Sequence, residues 1–554
     1  MEHPLTEKST LYSFHGYTTR TGRSFPYYRT PYSRQSAVGD SGFLTVPSDF
    51  KGYQPTFEVE INDHINAIGV KMDISEKWNA DASVTYGSND VFYAVNNSVN
   101  LDYLKDNKTS PTAFQPGGYR LTNVVGNYDV SGILSEKISV ATGVEYKVEK
   151  YGAFEGDAIS YYKGGSDSFP GIKPEEAGTW TRSNIAAYGQ VDYDITSDLL
   201  FGAAGRYENF TDAGDNFSWK INGRYKLGEK GAIRGSYSTG FRAPSLHQQH
   251  ITLSQYTIIQ GSEPLLQGTL ANNNPAVQGL GVKKLFNETS ENISAGLTYK
   301  FNRNFSASVD FYQIKVYDRV LFSSQVRYKN GTPATATSAA VITNPVEQIL
   351  SDNRVTVLQF FINAGDTKTS GADIVLNYKN IAIGDNGKFN TSFAANFNRT
   401  DVVAITTPKV LADAGYNIFD RQERGLITKS RPRSKMILGL NYVNDKWDVS
   451  LNNSRFGEVT VVSPSAGTVD GVETARGIDQ VLSATIATDI AVSFKLTDKI
   501  SLNGNINNIF DVYPDITLES TKSSQAGSRF KYSSEVQQIG QLGTTFSIGL
   551  NYQF

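Results

Sequence analysis

The sequence closes on TTFSIGLNYQF, residues 544–554. Phe546, Ile548, Leu550, Tyr552 and Phe554 are apolar or aromatic. Thr545, Ser547, Gly549, Asn551 and Gln553 between them are small or polar. Period-two alternation marks a strand with one apolar and one polar face. Termini usually fray and turn polar. This one is expected to end inside a sheet.

The same alternation recurs upstream. In ENISAGLTYKF (291–301), Ile293, Ala295, Leu297, Tyr299 and Phe301 share a face. DIAVSFKLT (489–497), SKMILGLNYVN (434–444) and FSASVDF (305–311) repeat the pattern. Short polar turns punctuate these runs at 75–78, 135–138, 196–198, 228–231, 302–304, 384–387, 444–446 and 497–499. Between them lie longer stretches rich in Gly, Ser, Asn, Pro and Tyr, near 23–55, 101–118, 164–180, 246–290, 326–356, 407–431, 462–480 and 515–540. The connection near 211–216 is brief. Alternating short and long connections belong to outer-membrane barrels. The count implies about 18 strands. Tyr193, Tyr225, Tyr299, Phe301, Tyr378, Tyr442 and Tyr552 precede short turns or the terminus, where an interfacial girdle needs aromatics.

Composition agrees. The 554 residues include Tyr 31, Phe 30 and Gly 49, with Cys 0 and a formal net charge of −3. Aromatics favour strands and glycine serves turns and bulges. The mean hydropathy of −0.35 fits strands that are only half apolar. No apolar run approaches the length of a spanning helix. The absence of cysteine excludes disulfides and thiolate chemistry, and a near-neutral chain without a basic block is not built for nucleic acid. A soluble propeller or sandwich array would also alternate, but would carry a repeat of about 40–50 residues. The fold expected is an all-β transmembrane antiparallel barrel in the outer membrane, in contact with its lipid.

Four stretches carry a family resemblance. GSYSTGFRAPSL (235–246), TSGADIVLNY (369–378), NINNIFDVYP (505–514) and the terminal strand ending in Phe554 resemble, in that order, the barrel motifs of TonB-dependent outer-membrane receptors. The resemblance implies a 22-strand barrel, a plug coupled to the TonB complex, energised uptake of a scarce ligand such as a ferric siderophore, and no enzymatic reaction. It also implies that Phe554 is a signal read by the barrel assembly machinery. The start, MEHPLTEKSTLYSF, shows neither a secretory signal nor a plug. The expectation is a barrel over residues 1–554 lacking signal, plug and about four first strands. A plugless passive porin is the alternative, and a loop-bearing adhesin or phage receptor a third.

Site candidates follow from chemistry. In RTGRSFPYYRTPYSR (20–34), Arg20, Arg23 and Arg29 stand among Tyr27 and Tyr28. Arginine with tyrosine binds flat or anionic small molecules by charge and stacking. Arg120 is expected on the same surface. Continuing the alternation of Arg234, Ser236, Ser238 and Gly240 turns Arg242 toward the lumen, where it can meet an acidic plug residue or an anionic ligand. His247 and His250 in LHQQH have i, i+3 spacing, but no third ligand is evident and no metal site is expected. No cofactor or catalytic motif is present.

Overall fold

A computed structural model describes residues 1–26, 28–29, 52–257, 265–334, 338–462, 467–469, 472–474, 479–517, 531–533 and 536–553. One sheet dominates. Its strands, in chain order, are β1 Glu2–Thr6, β2 Ser9–Ser24, β3 Thr56–Ser75, β4 Trp78–Asn96, β5 Ala113–Ser135, β6 Ile138–Phe154 and β7 Gly178–Asp194. There follow β8 Leu199–Phe210, β9 Gly214–Leu227, β10 Gly231–Arg242, β11 Glu288–Lys300, β12 Phe305–Phe322 and β13 Phe361–Ile383. The last are β14 Gly387–Ile405, β15 Ser434–Val443, β16 Trp447–Phe456, β17 Thr485–Lys495, β18 Ile500–Asn507 and β19 Thr545–Tyr552. All pairings within this 19-stranded sheet are antiparallel and join each strand to its neighbours in sequence.

The expected rhythm of short and long connections holds. The additional hairpin turns at residues 7–8, inside a polar stretch where β1 has no buried residue to mark it. Several strands run further into the long connections than expected. β5 starts at Ala113, where the reading placed a loop to 118, and Gly117 takes a positive φ of 97° beside an irregularity in the β4–β5 register.

Register sorts the side chains onto two faces. Leu11, Ile68, Val70, Val84, Tyr128, Val144, Tyr146 and Ile185, drawn from strands β2 to β7, line one apolar surface. Val84, Tyr128, Val144, Tyr146 and Ile185 are exposed. In water such a band would be a liability, whereas in hydrocarbon it is the stable arrangement. Near the short turns, Tyr299, Phe301, Phe305 and Tyr378 pack in series with centroid spacings of 5.1, 4.8 and 5.8 Å. They supply the expected aromatic rim on that face. Among the described residues no helix is long and apolar enough to cross a membrane.

The other face is polar and self-paired. The Tyr12 hydroxyl on β2 donates to Asp81 on β4 at 2.9 Å, passing over Gly69 of β3. Tyr188 reaches Asp129 at 2.8 Å over Gly143. Arg234 grips Asp310 at 3.0 and 2.5 Å over Gly296. Asn396 donates to Tyr312 at 3.1 Å beside Gly371. Each tie skips a strand, and a methyl group on the intervening glycine would collide with the side chain that crosses it.

β1 and β19 are the sheet's two edges and do not pair with each other. β19 is exposed along its length. β1 runs into the turn at 7–8, and β19 ends opposite Ile500, just after the short turn at 496–499. The edges therefore run in the same sense. Only an odd number of further strands would let them close by antiparallel pairing.

Gly143→Ala is expected to destabilise the folded protein in detergent micelles by about 1–3 kcal/mol, the usual cost of overpacking. Gly189→Ala, where a methyl meets open space, serves as the neutral comparison. Equal urea midpoints for the two variants would refute the cross-strand account.

Candidate functional site

Helices and short strands decorate only the long connections. The rim they build is held by a succession of buried ties. Arg29, 3% exposed, pairs with Asp167 at 2.9 Å, and Tyr53 donates to the same carboxylate. Ser98 donates to the Asp167 carbonyl oxygen. Helix α1, Leu101–Asn107, is capped by Asn100, whose side-chain amide also donates to the carbonyls of Ile159 and Tyr162 at 2.8 and 2.9 Å. The first three loops thus share one knot.

A second tie joins the third loop to the loop after β10. Lys173 donates to Ser254 at 3.0 Å, and Ser254 donates to Glu176. Burial pushes the Lys173 ammonium pKa down and the Glu176 carboxyl pKa up. Helix α2, Leu246–His250, follows, with a capping box between Ser245 and Gln248. It lays His247 edge-on against Tyr119 and Tyr151, and stacks His250 on Trp180 at 4.7 Å. Burial lowers both imidazole pKa values, which favours the neutral rings. The two histidines thus engage different aromatic partners, and no cluster of metal-ligating side chains surrounds them among the described residues.

The loop after β10 and two further loops share an apolar core that includes Leu270, Val277, Leu280, Leu350, Leu358, Phe360, Leu411 and Ile418. Glu347 is buried beside it in helix α3, Pro345–Asp352. Its carboxylate accepts from the backbone of Lys329, Asn330 and Gly331 at 2.9, 3.1 and 3.0 Å, and from the Thr343 amide and hydroxyl at 2.7 Å each. Burial alone would raise its pKa. The hydrogen bonds from Thr343, Gly331 and Lys329 overcome this and hold it far below the ordinary value of 4.5. From helix α4, Arg421–Thr428, Arg421 grips Asp479 at 2.5 and 2.8 Å. Gln538 closes the series by donating to the carbonyls of Gly457, Leu482 and Ser483.

Beneath these loops the polar face carries paired charges. Arg182 donates to the Pro244 carbonyl at 2.7 Å and pairs with Glu149 and Asp212. Arg206 bridges Glu145 and Glu208. Polar residues at every second position of β6 (Glu145, Lys147, Glu149) are the sequence signal for this cluster, which the motifs and loops singled out above do not include.

The candidates separate. Arg20 lies on the polar face, paired with Asp63 at 2.6 Å and 59% exposed. Arg242 lies there too, gripping Glu288 at 2.6 and 3.1 Å and 58% exposed. Both guanidiniums are fixed by a carboxylate on the adjoining strand yet open to an incoming ligand. They sit on β2 and β10, far apart in the sheet. Arg23 turns to the opposite, outward face, with Glu58 at 2.8 Å. So does Arg120, with Asp90 at 2.6 Å and the Phe154 ring at 5.4 Å. Arg29 is enclosed in the Asp167 knot, and Tyr28 is partly exposed beside it. Tyr27 and Phe554 lie outside the described residues.

Glu347→Gln places an amide among donors and is expected to weaken the three-loop core by about 2 kcal/mol at neutral pH. A depressed folded pKa stabilises fully above the ordinary value and less as pH falls through and below it. The deficit, read by hydrogen exchange over residues 323–360, is therefore expected to shrink below about pH 4.5. A deficit independent of pH would contradict the charge assignment.

Comparison with known proteins places this architecture. The chain matches the family model for the TonB dependent receptor-like beta-barrel over residues 4–509. No curated protein matches it. Among solved structures, a point mutant of the ferric enterobactin receptor PfeA from Pseudomonas aeruginosa is similar at TM-score 0.60 and 14% identity, over 100% of this chain and 68% of that one. The siderophore receptor PirA from Acinetobacter baumannii gives 0.57 and 15%, over 100% and 69%. The ferric-catecholate import receptor Fiu from E. coli K12 gives 0.57 and 13%, over 100% and 73%. At these identities the structural likeness speaks for the fold alone. The family match spans most of the sequence, and the chain belongs to the TonB-dependent receptor-like β-barrel family.

Proposed function

We propose that this chain is the barrel of an outer-membrane receptor that takes up a ferric siderophore or similar metal chelate at the expense of TonB-coupled energy. The family match over residues 4–509 carries the reading. The tethered loop rim supports it, as does the pair of exposed, carboxylate-anchored arginines on the polar face. Solved structures of similar fold include enterobactin, siderophore and ferric-catecholate receptors. An anionic iron chelate suits guanidinium groups held in place before it arrives.

Coupling would act through a plug contributed by a longer chain. The same longer chain would supply the odd number of strands that the two parallel-running edges need, three for a 22-strand barrel. Residues 1–554 alone are then expected to give no protonophore-sensitive accumulation of radiolabelled ferric siderophore in cells lacking other receptors. Energised accumulation by these residues alone would overturn the plug assignment. In a chain carrying the plug, Arg242→Ala is expected to weaken binding of an anionic ferric chelate about tenfold, by loss of a charge-assisted contact. Unchanged binding would remove Arg242 from the ligand site.

Assembly is proposed to use the terminal aromatic as its signal. Phe554→Ser is expected to lower the yield of protein in the outer-membrane fraction, and an unchanged yield would count against that role.

A further inference from the structure

The loop after β10 holds a small polar cavity that the uptake reading does not use. Its volume is about 210 Å³. Gln249, His250, Asn272, Asn273, Gln278 and Lys284 supply the polar part of its lining. Val282 and Leu285, both buried, supply the apolar part. Local structure fixes most of these groups before anything binds. Helix α2 carries Gln249 and His250. Stacking on Trp180 holds the His250 ring, and the Gln249 amide donates to Asp212 at 2.6 Å. A short helix, Pro275–Gly279, capped by Asn274, carries Gln278. The Lys284 ammonium donates to the Asp212 carbonyl oxygen at 2.8 Å.

Asn272 is the residue that points to a ligand. It is 7% exposed. Its Nδ2 donates to the carbonyls of Lys283 and Phe361 at 3.1 and 3.0 Å, which fixes the orientation of the amide. Oδ1 is thereby the atom left for the cavity, and it is buried without a hydrogen-bond partner among the described residues. A buried acceptor left unpaired is costly, so the site calls for a donor.

Space and chemistry narrow what brings that donor. At the roughly 30 Å³ that a water takes in the liquid, the cavity has room for about seven. It is smaller than the roughly 300–1,000 Å³ of sites for drug-sized ligands. A single six-membered ring with its substituents fits between these limits. An amide side chain offers a donor and an acceptor side by side, and each hydroxyl of a diol is likewise both. Val282 and Leu285 suit the C–H surface of such a ring. Charge is sparse. Burial favours the neutral form of His250. Among the described residues the lining holds one cation, Lys284, and no carboxylate. Asp212, behind Gln249 and Lys284, pairs with Arg182. An uncharged polyol therefore suits the cavity better than a carboxylate, a phosphate or a cation.

We infer that this cavity binds one uncharged sugar ring, with Asn272 and Gln278 among the groups that bond its hydroxyls. The ring is a free monosaccharide or the end unit of a glycan. The inference needs neither transport nor a plug, so its failure leaves the uptake reading untouched.

The chain, refolded in micelles of a sugar-free detergent, is titrated with the methyl glycosides of glucose, galactose and mannose and with methyl glucuronoside. Saturation-transfer NMR reads the affinities. At least one neutral glycoside is expected to bind. Gln278→Ala, at an exposed position, is expected to lower its affinity about fivefold, the worth of one neutral hydrogen bond. Asn272→Ala should lower it at least as much. Heat-modifiable migration on gels checks the fold of each variant, and Gln278→Ala keeps the test decisive if Asn272→Ala does not fold. A trisaccharide ending in the bound hexose assigns the ring to a glycan if it binds more tightly than the methyl glycoside. Equal or weaker binding of the trisaccharide assigns it to a free monosaccharide. Absence of binding by all three neutral glycosides would overturn the site. So would equal affinity in wild type and Gln278→Ala. Tighter binding of the glucuronoside would overturn the assignment to an uncharged ring.

Discussion

Hydrocarbon offers no partner to a backbone amide, so a sheet standing in lipid must satisfy its N–H and C=O groups within itself. That constraint organises the rest of this molecule. It accounts for strands that pair with their sequence neighbours in an unbroken antiparallel meander. It also accounts for the confinement of helices to the long connections. The same constraint makes the two unpaired edges meaningful. An exposed edge in hydrocarbon carries a row of unsatisfied groups, and β1 and β19 are the two edges of the described sheet, running in the same sense.

Once the backbone is committed, side chains decide cohesion. The sheet encloses no apolar core on its polar face, because its apolar residues point to the opposite face. Cohesion across strands must come from the polar face, and there it takes a repeated form. A long side chain crosses a glycine and bonds to the next strand but one, as Tyr12, Tyr188 and Arg234 do. The glycine is required by close approach, not by backbone angle, since Gly69, Gly143 and Gly296 adopt ordinary strand φ values. Such ties link each strand to the next but one, in addition to the ladder hydrogen bonds between neighbours. They also hold carboxylates against cations, so that the polar wall pairs many of its charges internally.

The fold was legible because period two survives in most of the long strands. Phe546, Ile548 and Leu550 stated it at the terminus, and register places them outward with Leu502 and Ile506. Arg242 was legible by the same rule. Arg120 was legible in principle, since it shares phase with Val124 and Tyr128, but the glycines of GGYR read as loop where the strand continues through a positive-φ glycine. The burial of Arg29 was not legible. Its partner Asp167 lies 138 residues away in another loop, and no local pattern announces a contact of that separation. The hairpin at 7–8 escaped for the opposite reason, as β1 is too polar and too short to alternate visibly.

The loop rim follows a different logic from the wall. Its ties change character along the chain, from the Asp167 knot to the buried Lys173–Ser254–Glu176 link, then an apolar core, then Arg421 on Asp479. Buried charged ties are poor sources of net stability but costly to break from one side, because the partner is left charged and unpaired. They therefore fix geometry more than they add stability. A rim fixed in this way loses little conformational entropy when a ligand arrives, and that saving appears directly as affinity. The apolar core between the charged links can repack at smaller cost. Loops that must differ between receptors of different ligands can thus vary in their exposed residues while the buried ties preserve the frame that holds them over the polar wall.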